Sequence, residues 1–285
     1  MTMPHTPSMT EFSPEPSVLL LAGIDFTSRP TAAKPITVAL GTARPGVVKL
    51  DRVDAHRSFD GLLNWLRTAG PWVGAFDFPF GLPRELVLAL GWPTEWAALM
   101  AYYSSLSREH IREQFAAFCD ARPVGSKFAR RATDGPAGSS PSMKWVNPPV
   151  AFMMHAGVPL LIEADVHLPG LRAGDTGRVA LEGYPGLLAR ELIGNRSYKS
   201  DDKARQTPER LIARKDLLEA LEQGRTRLGL RLRLSHAQRD ALVADASGDR
   251  LDAVLCLMQA AWAGAQPDHG LPADIDPLEG WIVTA

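Results

Sequence analysis

Cysteine is almost missing from this chain. Cys119 and Cys256 stand alone among 285 residues. They are too few and too far apart for a disulfide framework or a cysteine-rich zinc site, so a reducing cytoplasm is the expected compartment. An excess of one charge is missing too: 31 Lys and Arg against 32 Asp and Glu leave a formal net charge of -1. No whole-molecule field gathers polyanions, so any nucleic-acid contact has to be local. No apolar run approaches the roughly 20 residues of a membrane-spanning helix, and no membrane partner is expected. Met1 to Pro16 lacks the basic-then-apolar order of a secretion signal and reads as a disordered tail over residues 1–17. Glycine-rich phosphate loops of the Walker or dinucleotide type do not occur. His155, Glu163, Asp165 and His167 follow no strong zinc spacing.

What is present is a core. Apolar residues make up 45% of the chain, which excludes global disorder. Residues 18–285 read as one α/β domain. Val18 to Ala22 is an unbroken apolar run, as suits a central strand buried on both faces, and it stops at Asp25. Pro35 to Ala43 and Val47 to Val53, joined by Arg44-Pro45-Gly46, read as a hairpin. Ser58 caps a helix over Phe59–Ala69 that Gly70 ends, and Trp72 to Phe78 is the next strand. A strand–helix–strand connection of this length implies a parallel crossover. Residues 84–171 read as an insertion. It holds helices over Thr94–Ser105 and Ser107–Cys119, a long mobile loop over Ala121–Pro149, and a helical or mixed stretch over Val150–Ala164. Arg178 to Gly183 is a short strand that closes on Glu182. Helices follow over Leu187–Ile193, from Pro208 to about Gln223, from His236 to about Asp245, and over Asp249–Ala263.

Acids recur at strand ends. Asp25, Asp77 and Glu182 each close an apolar strand, at the edge where open α/β sheets bind ligands. Asp249 and Asp252 sit three apart at a helix start and so share a face with Ala253, Cys256 and Ala260. Those small residues let the helix lie close to a sheet. Asp is also favoured in a first helical turn by the dipole and by capping, so that pair alone decides nothing. Two carboxylates about 5 Å apart repel by roughly 3 kcal/mol at an effective dielectric near 20. Four or five acids gathered together must bind a cation or take up protons. Oxygen-only ligands select Mg²⁺ or Mn²⁺, and a pair of such ions serves phosphodiester chemistry.

Three strands with Asp on the first, a helix, a fourth strand ending in an acid, and a last helix carrying Asp-x-x-Asp-Ala resemble the RNase H fold. The last helix is similar to that of RuvC-type Holliday-junction resolvases. More closely, Gly23-Ile24-Asp25, Asp77-Phe78-Pro79-Phe80-Gly81-Leu82-Pro83, Glu182-Gly183-Tyr184-Pro185 and Asp249-x-x-Asp252-Ala253 resemble domain-of-unknown-function family 429, a family of predicted RNase H-like nucleases. The resemblance spans about Val18 to Ala263. It implies a mixed sheet of order 3-2-1-4-5 with strand 2 antiparallel, and a candidate two-metal site. Asp25, Asp77 and the Asp249/Asp252 pair would be ligands, with Asp25 bridging. Asp249 or Glu182 would position the water. The sequence departs from a nuclease in its weakly basic surface. An actin-like or sugar-kinase-like phosphotransferase uses a related fold, but it normally carries two duplicated domains and glycine-rich phosphate turns. A non-catalytic binding protein on the same fold is the third reading.

Basic residues supply candidate substrate contacts. Arg122, Lys127, Arg130, Arg131 and Lys144 enrich the long loop and suggest a clamp beside the acids, while Lys199 reads as an ordinary loop lysine more readily than as a phosphate contact. Arg196 to Arg239 carries twelve Lys and Arg against six Asp and Glu, a local surplus that could meet phosphates or simply form a solvated helix face. Trp92, Trp96, Tyr102 and Tyr103 read as packing aromatics more readily than as a base-stacking platform.

Overall fold

The computed structural model describes residues 19–68 and 70–285. The tail expected over 1–17 and the first residue of the opening run lie outside these residues. Seven strands form one sheet: β1 (Leu20–Asp25), β2 (Ile36–Arg44), β3 (Val47–His56), β4 (Trp72–Phe76), β5 (Val166–His167), β6 (Asp175–Glu182) and β7 (Arg231–Arg233). Their order is β5-β6-β4-β1-β2-β3-β7. β2 runs antiparallel to β1 and β3, while β4 and β6 run parallel to β1. The five strands read from the sequence therefore neighbour one another in the expected order, and two short edge strands extend the sheet. Arg-Leu-Arg at β7 and Val-His at β5 are too short to show any periodicity.

Both faces of the sheet are covered. The period-2 alternation of a strand divides β1 cleanly. Ala22 and Ile24 join a core with the helix Phe59–Thr68 and with the insertion. Leu21 faces a second core built on the helices Pro185–Ile193, Pro208–Glu222 and Asp249–Gly264. This explains the continuous apolar run of β1, since a strand buried on both faces has no polar side to present.

The insertion is more ordered than its composition suggests. Helices Trp96–Ser105 and Arg108–Asp120 are capped by Glu95 and Ser107, and Val150–Glu163 forms a third helix with Pro159 inside it. Trp92, Trp96 and Tyr103 are buried in the sheet's own core, as packing aromatics should be, while Tyr102 is partly exposed. The expected mobile loop is corrected. Arg131, Thr133, Asp134, Ser142 and Met143 are buried, and a short helix, Asp134–Ala137, forms in the middle of the loop. A Pro/Gly/Ser-rich stretch looks solvated in sequence. Here Arg131, Thr133 and Asp134 find hydrogen-bond partners inside the fold, which permits their burial, while the Ser142 hydroxyl is buried without one.

The helix Asp249–Gly264 lies directly on β1. A Cβ at Gly23 would overlap the Ala253 carbonyl oxygen and the Leu257 amide nitrogen, both backbone atoms that cannot step aside. Ala75, Cys256 and Ala260 fill the adjoining space. The small residues at Ala253, Cys256 and Ala260 thus serve the close approach read from the sequence. Gly23→Ala is therefore expected to lower stability by about 3 kcal/mol or more, measured by urea unfolding. A loss under 1 kcal/mol would contradict this packing.

Candidate metal centre

Strand register brings the acids together. Ile24 pairs with Phe76 across the parallel β1–β4 ladder, and the Asp77 amide donates to the Ile24 carbonyl at 2.9 Å. One residue further on, Asp25 and Asp77 are neighbours, separated by about one strand spacing of 4.8 Å. By alternation both share the face of Leu21 and Val73, which is the face the terminal helix covers. Asp252, in the first turn of that helix, is fully buried above them. Carboxylate oxygens of Asp25, Asp77 and Asp252 all lie within 4.8 Å of one another.

The other two predicted acids stand apart from this trio. Glu182 pairs with Phe76, not with Asp77. That one-residue offset turns its side chain to the opposite face of the sheet. There it is buried and accepts from Arg131 Nη2 at 2.6 Å, Arg131 Nη1 at 2.8 Å and the Phe80 amide at 3.0 Å. Asp249 lies one turn nearer the helix start than Asp252. Lys34 Nζ holds it at 2.9 Å, while the same ammonium reaches Asp201 at 2.7 Å. Asp249 still bears on Asp25 electrostatically.

Burial and mutual repulsion dominate the trio. Burial, then the charges of Asp252 and Asp249, push the Asp25 carboxyl well above the ordinary carboxylate range. Asp77 is pushed up to about 7, first by burial and then by Asp252. Neither carboxylate accepts a hydrogen bond among the described residues. Asp252 is engaged on both oxygens: the Tyr198 hydroxyl donates to Oδ1 and the Lys199 ammonium to Oδ2. Lys199 is the only ammonium bonded to the trio among the described residues, so it takes the place of a counter-cation there. Gly248 makes room for it. At φ 79° this residue is in the left-handed region, and a Cβ would lie 2.6 Å from Lys199 Cβ.

The donor set fits a hard divalent cation. It offers oxygens only, two of them free carboxylates whose protons are bound by repulsion and burial. Asp252 joins such a set only when Lys199 leaves Oδ2. No ring nitrogen or thiolate belongs to it. Cys256 lies close by, but burial and the three acids hold its thiol well up, in the protonated form.

The basic residues divide. Arg131 is buried between Glu182 and Asp134, so the expected substrate contact is corrected to a structural ion pair. Lys127, Arg130 and Lys144 line an open groove. In the surplus after Arg196, Arg196, Arg227 and Arg239 pair with Asp216, Glu191 and Glu222, and Arg214 bonds the carbonyls of Tyr198 and Val243. Two of these pairs use acids of the same segment and leave its surplus unchanged, while Arg227 with Glu191 and Lys199 with Asp252 draw on acids outside it.

Three features escaped the sequence reading. Lys34 is a lone loop lysine with no pattern around it. Gln259, fully buried, accepts from the Tyr184 amide at 2.9 Å and donates to Thr284 Oγ1 at 2.9 Å. The C-terminal segment bridges to Glu182 through Ile282, and Glu279 accepts from the amides of Arg84 and Ala132. Glu-Gly at 279–280 reads as an ordinary turn in sequence, so only tertiary structure reveals that role.

Comparison of the chain with protein-family models, curated proteins and solved structures finds no match. The resemblance to family 429 therefore rests on the four short motifs themselves. Among the described residues, no helix is long and apolar enough to cross a membrane.

The raised acids tie stability to pH. The unfolded Asp77 releases its proton near 3.8 and the folded one at about 7. Between those values the native state binds more protons, so stability without metal falls as pH rises through this window and levels above it. Asp25→Asn removes one repelling charge and no hydrogen bond. It is expected to raise metal-free stability at pH 8 by about 1–3 kcal/mol, with a smaller gain at pH 4.5, read from urea midpoints. Destabilisation at pH 8 would contradict the electrostatics drawn here. Arg131→Met strands Glu182 and Asp134 in the interior and is expected to lower stability by about 3–5 kcal/mol. A near-neutral effect would return Arg131 to the surface.

Proposed function

We propose that this chain is an RNase H-like phosphodiesterase that works with Mg²⁺ or Mn²⁺ on a nucleic-acid backbone. The observation carrying this reading is the meeting of Asp25, Asp77 and Asp252 oxygens within 4.8 Å at the carboxyl ends of parallel strands. An ion bound there would polarise a phosphoryl oxygen and make a bound water a better nucleophile at neutral pH.

The chain's own residues then have separate tasks. The carboxylates of Asp25 and Asp77, which accept no hydrogen bond among the described residues, offer oxygens without first breaking a contact. Tyr198 fixes the carboxylate plane of Asp252. Lys199, on a half-exposed loop, supplies the counter-charge to the trio. When that role passes to a cation, its ammonium is available to a phosphate oxygen. Lys34 keeps Asp249 anchored beside Asp25, close enough to act on a water through the field without being a ligand.

The ammonium already seated at Asp252 favours a second reading, a binding protein that keeps the fold and neutralises its own acids. The phosphotransferase reading gains nothing from the site, which has no glycine-rich phosphate turn.

Melting with Mn²⁺ separates the two. At Mn²⁺ about a hundredfold above its Kd the wild type should melt about 5 °C higher. Asp25→Asn and Asp77→Asn should lose that response. In a screen of labelled DNA and RNA, junctions included, each substitution should lower cleavage by at least about 100-fold, beyond what outer-shell partners contribute. A wild type that neither melts higher with Mn²⁺ nor cleaves any substrate supports the binding protein.

A further inference from the structure

We infer that the groove lined by Lys127, Arg130 and Lys144 holds the backbone of a single-stranded nucleic acid and leads it to Asp77. This inference rests on the phosphodiesterase reading and names its substrate class. The chain as a whole is electrically balanced, yet this groove of about 430 Å³ is lined by three cations and no carboxylate. Two of these cations have no acidic partner among the described residues. Arg130 donates only to the Ser139 carbonyl, at 3.2 Å, and Lys144 pairs with no acid. Lys127 has only a loose pair with Asp120 at 3.4 Å, the lysine side chain being half-exposed and the aspartate largely exposed. Elsewhere on the surface arginines are repeatedly paired, as at Arg84, Arg196 and Arg227.

The groove adjoins a hollow that reaches one acid of the trio. A second, smaller hollow of about 80 Å³ shares Ser139, Ser140 and Tyr184 with it and has Asp77 and the Arg131–Glu182 ion pair in its walls. Its other walls include Phe78, Pro79, Pro148 and Val150. A basic channel that tracks phosphates beside an apolar and aromatic wall for bases is how unpaired strands are held. A hollow of that size excludes a duplex. Tyr184 stands at the junction, its ring stacked under the Arg190 guanidinium at 5.5 Å and its amide fixed by Gln259. It is therefore rigid enough to serve as a platform.

The test is fluorescence anisotropy with a labelled twelve-nucleotide single strand and with the matching duplex, in Ca²⁺ to suppress cleavage. Wild type, Arg130→Gln/Lys144→Gln and Asp25→Asn are compared after melting curves establish that each is folded. Three phosphate contacts predict that wild-type affinity for the single strand falls about 20-fold between 50 and 200 mM salt. The double variant should bind at least 10-fold more weakly at 50 mM with a flatter salt dependence, Asp25→Asn should keep the wild-type salt dependence because its groove is intact, and the duplex should bind more weakly than the strand. Lys127→Gln, which removes a half-exposed cation already paired loosely with Asp120, gives a smaller loss in the same direction. Equal binding by wild type and double variant, no binding at 50 mM salt, or preference for the duplex would overturn the inference. Salt-sensitive binding through the groove with no cleavage in Mn²⁺ supports the groove while removing the phosphodiesterase reading.

Discussion

The contact between the terminal helix and β1 at Gly23 governs the rest of the structure. A residue without a side chain there lets the Ala253–Leu257 turn rest on the strand backbone. Asp252 sits one residue before that turn, so the same contact sets its height above the sheet. Asp25 lies two residues after Gly23 on the same strand face, and Asp77 is its neighbour just past the end of the parallel ladder, where its amide bonds the Ile24 carbonyl. A single close approach thus fixes the distance between acids contributed by three separate elements. Were the helix held off by even one methyl group, the three carboxylates would separate and their repulsion would relax.

Charge compensation then distinguishes the acids from one another. Glu182 has Arg131, Asp249 has Lys34, and Asp252 has Tyr198 and Lys199. Burial raises the proton affinity of Glu182 and Asp249 as well, but only the carboxylates of Asp25 and Asp77 have raised proton affinities and no hydrogen-bonding partner among the described residues. Interiors seldom keep buried carboxylates in that state for stability alone, since desolvation and like charge both oppose it. Strain retained at one place and offset by packing elsewhere is what a binding site for a cation requires.

Much of this arrangement was legible in the sequence, because the signals were local. An apolar run that stops at an acid marks a strand end, and Asp249 with Asp252 at helical spacing beside small residues marks a helix laid against a sheet. The role of Glu182 was not legible. The sequence places it at a strand end like the others, but a one-residue register difference between β4 and β6 decides its face, and register is a property of pairing. Arg131 was misread for a related reason. In a Pro/Gly/Ser-rich stretch a cation looks solvated, and only the folded chain shows two carboxylates and the Glu279 carbonyl converging on it. Lys34 meets its acids across more than 160 residues of chain, a separation no local pattern reports.

The central claim is that Asp25, Asp77 and Asp252 together hold a divalent cation. Anomalous diffraction from crystals soaked in Mn²⁺ tests it directly. The account predicts an anomalous peak about 2.1 Å from oxygens of all three carboxylates, with the Lys199 ammonium withdrawn from Asp252. Crystals that show no peak there, with Lys199 still seated on Asp252, would contradict it.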